Sequence, residues 1–261
     1  LPYIDVILPI GLSFHTFQAM SYTIEVYRGN QPPERKFTVY ALYVMFYPQL
    51  VAGPIERPQN ILHQLHEFKE YQWDNVKEGL TRMLWGFFKK VVIADRLAMI
   101  VDHGYATYGR LSSGALLVTA VCYSFQIYCD FSGYSDIALG AAKVMGVRLM
   151  ENFNEPYRSA GIGEFWSRWH ISLSSWFRDY VYIPLGGNRR GEAHRKLNVM
   201  FVFLLSGLWH GANRTFAVWG LLHGAFAAFM PGNRDQAVSG VRRVIFIVVN
   251  FLAVTLLWVF F

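Results

Sequence analysis

The 261-residue chain carries 24 Lys and Arg against 18 Asp and Glu, a formal charge of +6, and 53% of it is hydrophobic, compared with roughly 45–50% in soluble proteins. A basic chain suggests nucleic acid until the charges are placed: Lys89-Lys90, Arg189-Arg190, Arg195-Lys196 and Arg242-Arg243 are short clusters between apolar runs, the pattern of positive-inside anchors and anionic-lipid contacts. Nucleic-acid binding is set aside on that ground, and the two cysteines, Cys122 and Cys129, read as inert thiols, too far apart for a disulfide within one straight helix.

No Asp, Glu, Lys or Arg occurs in residues 6–24, 37–55, 111–129, 215–230 or 244–261. A helix crossing the bilayer core needs about 20 mainly apolar residues, so the chain reads as all-α: a single membrane-embedded domain over residues 1–261, built as a polytopic transmembrane bundle. The first run, 6–24, has a polar side of His15, Gln18 and Ser21 that should face protein rather than lipid. The second, 37–55, holds Pro48, Gly53 and Pro54, which break a straight helix near its end and suit a re-entrant segment. Residues 60–71 read as a surface loop or interfacial helix. Residues 76–101 mix Lys89, Lys90, Asp95 and Arg96 with Leu84, Phe87, Phe88 and Val91, an amphipathic helix at the interface.

Residues 111–129 run into Asp130-Phe131-Ser132-Gly133-Tyr134-Ser135-Asp136. Two carboxylates directly after a span suit either a water-exposed turn, with Asp130 or Ser132 capping the next helix, or the lining of a cavity. Over 162–185, Phe165, Trp169, Leu173, Trp176, Phe177 and Tyr180 gather on one helical face, and Glu164, Arg168, Ser175 and Asp179 gather opposite. His170 falls on the border of this expected amphipathic helix, which ends at Pro184 and Gly186-Gly187. A basic loop precedes the apolar segment 197–209, which ends on His210. The chain starts at Leu1 without a methionine and stops inside an apolar run, and so reads as a piece of a longer membrane protein.

Of the eight histidines, His63 and His66 stand at helical ligand spacing beside Glu67 but have no third partner, and no metal site is expected. His103 and His194 sit in polar loops. His15 and His223, within apolar runs, read as buried, hydrogen-bonded structural residues. His210 is equally a structural hydrogen-bonding group or a general base for a hydroxyl near neutral pH. The chain has no H-E-x-x-H, G-x-S-x-G or phosphate-loop motif, which counts against soluble-type hydrolases and nucleotide enzymes.

Three stretches carry a resemblance: Phe165-Trp166-Ser167-Arg168-Trp169-His170, then Arg178-Asp179-Tyr180 with Pro184-Leu185-Gly186-Gly187-Asn188-Arg189, then Ser206-Gly207-Leu208-Trp209-His210-Gly211. Together they resemble the membrane-bound O-acyltransferase family, in particular its alginate O-acetyltransferase branch, with the D-alanyl transfer protein of teichoic acid as a cousin. Leu8-Pro9-Ile10-Gly11-Leu12-Ser13-Phe14, Pro48-Gln49-Leu50-Val51-Ala52-Gly53-Pro54 and the 130–136 motif match the same branch. The resemblance implies a multi-span helical protein of the bacterial inner membrane enclosing a tunnel. It also implies His210 as the catalytic histidine, His170 as the second active-site position, and Trp166, Trp169, Arg168, Ser206, Trp209 and Asp130 as substrate contacts. For each tryptophan, aromatic packing is the more common role.

No tightly bound cofactor is implied. An acyl thioester, acetyl-coenzyme A or an acyl carrier, is the donor substrate, and an extracytoplasmic polysaccharide or other hydroxylated molecule is the acceptor. Membrane lipids and a periplasmic acetyltransferase- or hydrolase-like protein are the expected partners. A non-catalytic transporter or export subunit for an acyl group or polymer is the alternative, since intramembrane polar residues serve that role as well.

Overall fold

Glycine or proline stands at the start of α1, α3, α7 and α9 in the structure, a computed structural model that describes residues 11–67, 69–230 and 239–261. Eleven α-helices are named here: α1 (Leu12–Tyr27), α2 (Phe37–Val44), α3 (Pro58–His66), α4 (Trp73–Phe87), α5 (Asp95–Ala106), α6 (Ser113–Val144), α7 (Ile162–Arg168), α8 (Ile171–Phe177), α9 (Glu192–His210), α10 (Arg214–Phe229) and α11 (Gly240–Trp258). Among the described residues the β-like feature is an isolated antiparallel bridge between Phe153 and Trp169. The chain divides into two compact units, one made of the chain up to Phe88 with Gly133–Met150, the other of Lys89–Ser132 with Glu151–Phe261.

In the first unit, the expected span over 6–24 begins outside the described residues and continues as α1. Its polar side faces protein, as its composition requires. Gln18 Nε2 donates to the Tyr43 carbonyl at 2.9 Å, and His15 Nε2 lies 3.2 Å from the Leu50 carbonyl. The break expected within 37–55 is present and comes early: α2 stops after Val44, and a 3-10 turn, Tyr47–Gln49, carries Pro48. Tyr43, Phe46, Ile61, Leu62, Ala142 and Val147 form the core that closes around this turn.

The same unit shows why α4 and α6 carry glycines. A Cβ on Gly79 would lie 2.6 Å from the Gly140 carbonyl oxygen, and one on Gly86 would lie 2.6 Å from that of Gly133. Both pairs repeat after seven residues in opposite chain directions, the mark of two antiparallel helices packed backbone to backbone through small residues.

The amphipathic stretch expected over 76–101 begins as α4 and continues along the chain as a π-helical segment, Phe88–Ala94, and then α5. The largest departure from the sequence reading is at 130–136. It forms neither a turn nor a helix start, because α6 runs without interruption from Ser113 to Val144. The stretch contains no proline, and its glycine serves close packing on α4 rather than a reversal of the chain. The second departure is over 162–185. The expected single helix is broken after Arg168 and resumes at Ile171, then tightens into a π-helical turn at Arg178–Tyr182.

Two described helices, α6 and α11, are long and apolar enough to cross a membrane. The runs at 6–24 and 215–230 yield α1 and α10 of 16 residues each, about 24 Å at 1.5 Å per residue against a hydrocarbon core of about 30 Å. In α9 the first turn carries Glu192, Arg195 and Lys196, so its apolar part is shorter than the helix.

Candidate active site

α9 and α10 form a hairpin whose faces meet at glycines. A Cβ on Gly207 would lie 2.2 Å from the Phe216 carbonyl oxygen, and one on Gly220 would lie 2.4 Å from that of Phe203. His210 is the last residue of α9, and Asn213 caps α10 by accepting from Thr215 N–H at 3.4 Å. The tight hairpin therefore fixes the imidazole against the side chains that α10 presents. Its ring is half-buried in an aromatic box, with centroids 4.8 Å from Trp209, 5.4 Å from Trp219 and 4.9 Å from Phe261.

His170 sits at the break between α7 and α8. Its backbone is left-handed, φ 45° and ψ 55°, a conformation that costs a side-chain-bearing residue about 1–2 kcal/mol. Neighbouring bonds hold it there. Ser174 N–H donates to the His170 carbonyl at 2.9 Å, and Ile171 N–H donates to the Asn152 carbonyl at 3.0 Å. Asn152 Oδ1 accepts from both the Ser172 amide at 3.2 Å and the Ser172 hydroxyl at 2.7 Å. Strain that the surroundings over-determine is characteristic of functional positions. The buried His170 ring packs edge-on to Phe131 at 4.6 Å, lies 6.3 Å from Trp209, and is within electrostatic range of His210. Trp209 is thus in ring contact with both histidines.

The other expected site residues fall into three groups. Trp166 and Trp169 join the aromatic cluster: Trp169 stacks on Phe165 at 5.5 Å, and Trp166 meets Trp219 at 5.8 Å. Ser206 is buried on α9, one turn before His210. Arg168 and Asp130 are committed to ion pairs. Arg168 holds Glu164 at 2.8 Å, and Asp130 holds Lys90 at 2.5 Å, with Lys90 also 2.8 Å from Asp95. These carboxylates raise the Lys90 pKa, the hydrogen bond to Asp130 contributing most. Asp130 thus ties α6 to the π-helical segment, because the unbroken α6 carries its carboxylate to Lys90. Elsewhere, His66 pairs with Glu34 at 2.5 Å and His63 bonds the Gln59 carbonyl, so this histidine pair is engaged locally.

Sequence reasoning gave Asn152 and Trp219 no part in the site, placed Phe131 only within the 130–136 motif, and read His223 as structural. One signal was available: Trp219 and His223 are four apart on α10, and therefore on one helical face.

The sequence model of the membrane-bound O-acyltransferase family matches residues 36–232. The chain belongs to this family. As an O-acyltransferase relative it is 46% identical to a probable alginate O-acetylase of Azotobacter vinelandii, over 98% of this chain and 51% of that protein. It is 38% identical to a peptidoglycan O-acetyltransferase of Helicobacter pylori, over 99% of this chain and 54% of that one. It is 29% identical to a teichoic acid D-alanyltransferase of Bacillus subtilis, over 82% and 56%. The chain spans about half the length of these family members.

Proposed function

We propose that this chain is the catalytic part of an integral-membrane O-acyltransferase of the bacterial inner membrane. In this reading it moves an acetyl group from a cytoplasmic thioester to hydroxyls of an extracytoplasmic polysaccharide such as alginate. The observation that carries the reading is the pair of histidines about Trp209, one ending α9 and one held in a strained left-handed backbone.

In the proposed step His210, neutral, accepts the proton of the acceptor hydroxyl as its oxygen attacks the thioester carbonyl. The new C–O bond forms, the tetrahedral oxyanion collapses with cleavage of the C–S bond, and the leaving thiolate takes the proton back from His210. His170 orients donor or acceptor. The aromatic walls of Trp209, Trp219 and Phe261 exclude water, which otherwise hydrolyses the thioester. Spans supplied by the rest of a full-length protein complete the multi-pass bundle and its tunnel, and a periplasmic hydrolase-like partner receives or delivers the acyl group.

The test is the His210→Ala variant in the full-length protein. Acetylation of the acceptor is lost while insertion and expression stay at wild-type levels; retained transfer refutes the reading. Purified protein given labelled acetyl thioester and a hydroxylated acceptor distinguishes an enzyme from an export subunit, because only the enzyme forms ester.

A further inference from the structure

The sequence expects His223 to be a hydrogen-bonded structural histidine, and its surroundings do not supply the bonds. The side chain is fully buried on α10, and neither Nδ1 nor Nε2 has a hydrogen-bond partner among the described residues. The indole Nε1 atoms of Trp166 and Trp219 are also buried and without an acceptor among the described residues. These three rings are mutual neighbours: His223 lies 5.2 Å from Trp166 and 4.9 Å from Trp219, and the two indoles are 5.8 Å apart. Native proteins rarely leave buried donors unmet, and a group of them in one place points to a ligand that meets them.

The chemistry of the nitrogens selects that ligand. An indole N–H only donates, and a neutral imidazole offers one donor and one acceptor. Whatever binds must accept at least two hydrogen bonds, which suits a carbonyl oxygen with its two lone pairs and rejects an ammonium group or plain hydrocarbon. Position supports the same choice, since Trp219 stands edge-on to His210 at 5.4 Å, next to the candidate base. The apolar rings around the nitrogens suit a short acyl chain.

We propose that Trp166, Trp219 and His223 bind the acyl carbonyl oxygen of the thioester donor and so hold the reacting carbon beside His210. The inference rests on the acyl-transfer reading and adds to it a site for the donor. Donors aimed at that oxygen also favour the oxyanion formed during attack.

The experiment uses full-length protein in lipid nanodiscs and two unreactive probes. In the first, a methylene replaces the sulfur of acetyl-coenzyme A, leaving a ketone. In the second, a methylene replaces that ketone as well. The same pair mounted on the phosphopantetheine of an acyl carrier protein forms the second arm, and the arm that binds identifies the donor source. The wild type binds the ketone about tenfold more tightly than the hydrocarbon, as expected for a hydrogen-bonded carbonyl. Trp166→Phe and Trp219→Phe keep a six-membered aromatic ring and lose the donor, so each reduces this preference to threefold or less, a ratio that lost packing, which weakens both probes alike, does not change. No ketone preference in the wild type on either carrier, or the full preference in both Phe variants, overturns the proposal. The acyl-transfer reading fails separately, by transfer that survives His210→Ala.

Discussion

Replacing Gly220 by alanine tests whether backbone contact between α9 and α10 positions the candidate site. The added Cβ would stand 2.4 Å from the Phe203 carbonyl oxygen, 3.1 Å from its carbon and 3.2 Å from Leu204 Cα. All three are backbone atoms, so no rotamer change relieves the overlap. Restoring ordinary contact near 3.4 Å requires the helices to part by about 1 Å. Alanine gains about 0.8–1 kcal/mol in helix propensity, and overpacking costs about 1–3 kcal/mol. With rigid backbone on the opposing side the upper part of that range applies, and the net loss is about 1–2 kcal/mol. A displacement near 1 Å also costs about 10²-fold in rate where reacting groups must be aligned, and Gly220 adjoins Trp219, which packs on His210. Gly114→Ala is the control, because a Cβ there meets nothing within 4 Å. Denaturant unfolding in micelles and acetyl transfer are measured for both variants. Gly114→Ala is neutral or more stable than the wild type and fully active. A Gly220→Ala protein that behaves in the same way refutes the reasoning.

Asn152→Ala leaves the buried Ser172 amide and hydroxyl without their acceptor and destabilises by about 2 kcal/mol in unfolding measurements. Loosening of the α7–α8 break shows as faster amide exchange at residues 170–174. His170→Gly relieves about 1–2 kcal/mol of left-handed strain and removes the ring from Phe131, so the variant unfolds within about 1 kcal/mol of wild type while acetyl transfer falls. Wild-type transfer by that variant excludes a role for the imidazole.

Glu56 is fully buried, and desolvation raises its carboxyl above the ordinary 4.5, partly offset by the Met150 amide and Asn60. Below the unfolded value both states are protonated and burial carries no charge penalty. As pH rises toward the folded value the unfolded chain loses its proton first, and stability falls. Glu56→Gln removes that slope, matching the wild type in acid and exceeding it at neutral pH in thermal unfolding. Equal pH profiles for the two proteins refute the assignment.

The helical class, the polar side of α1 and a break within 37–55 were legible from sequence, because each depends on local composition: charge-free runs and proline. Where apolar runs became 16-residue helices their bounds shifted, because capping by Asn213 and the left-handed Gly11 depend on backbone geometry. At 130–136 polar composition misled, because ion pairs from Lys90 to Asp130 and from Arg82 to Asp136, each with its own distant partner, keep those carboxylates satisfied inside a continuous helix.

By itself, then, the sequence determined the helical class and the family motifs, because hydrophobic patterning and motif spacing are properties of the chain. Only the tertiary structure decided how those residues are held. The left-handed His170 needs Asn152 from eighteen positions earlier to fasten its break. The contact between α9 and α10 needs glycines whose purpose appears only when the opposing carbonyls are in place. The unmet nitrogens of His223, Trp166 and Trp219 are apparent only after their neighbours are known, since hydrogen-bond satisfaction is a property of the packed environment and not of the residue.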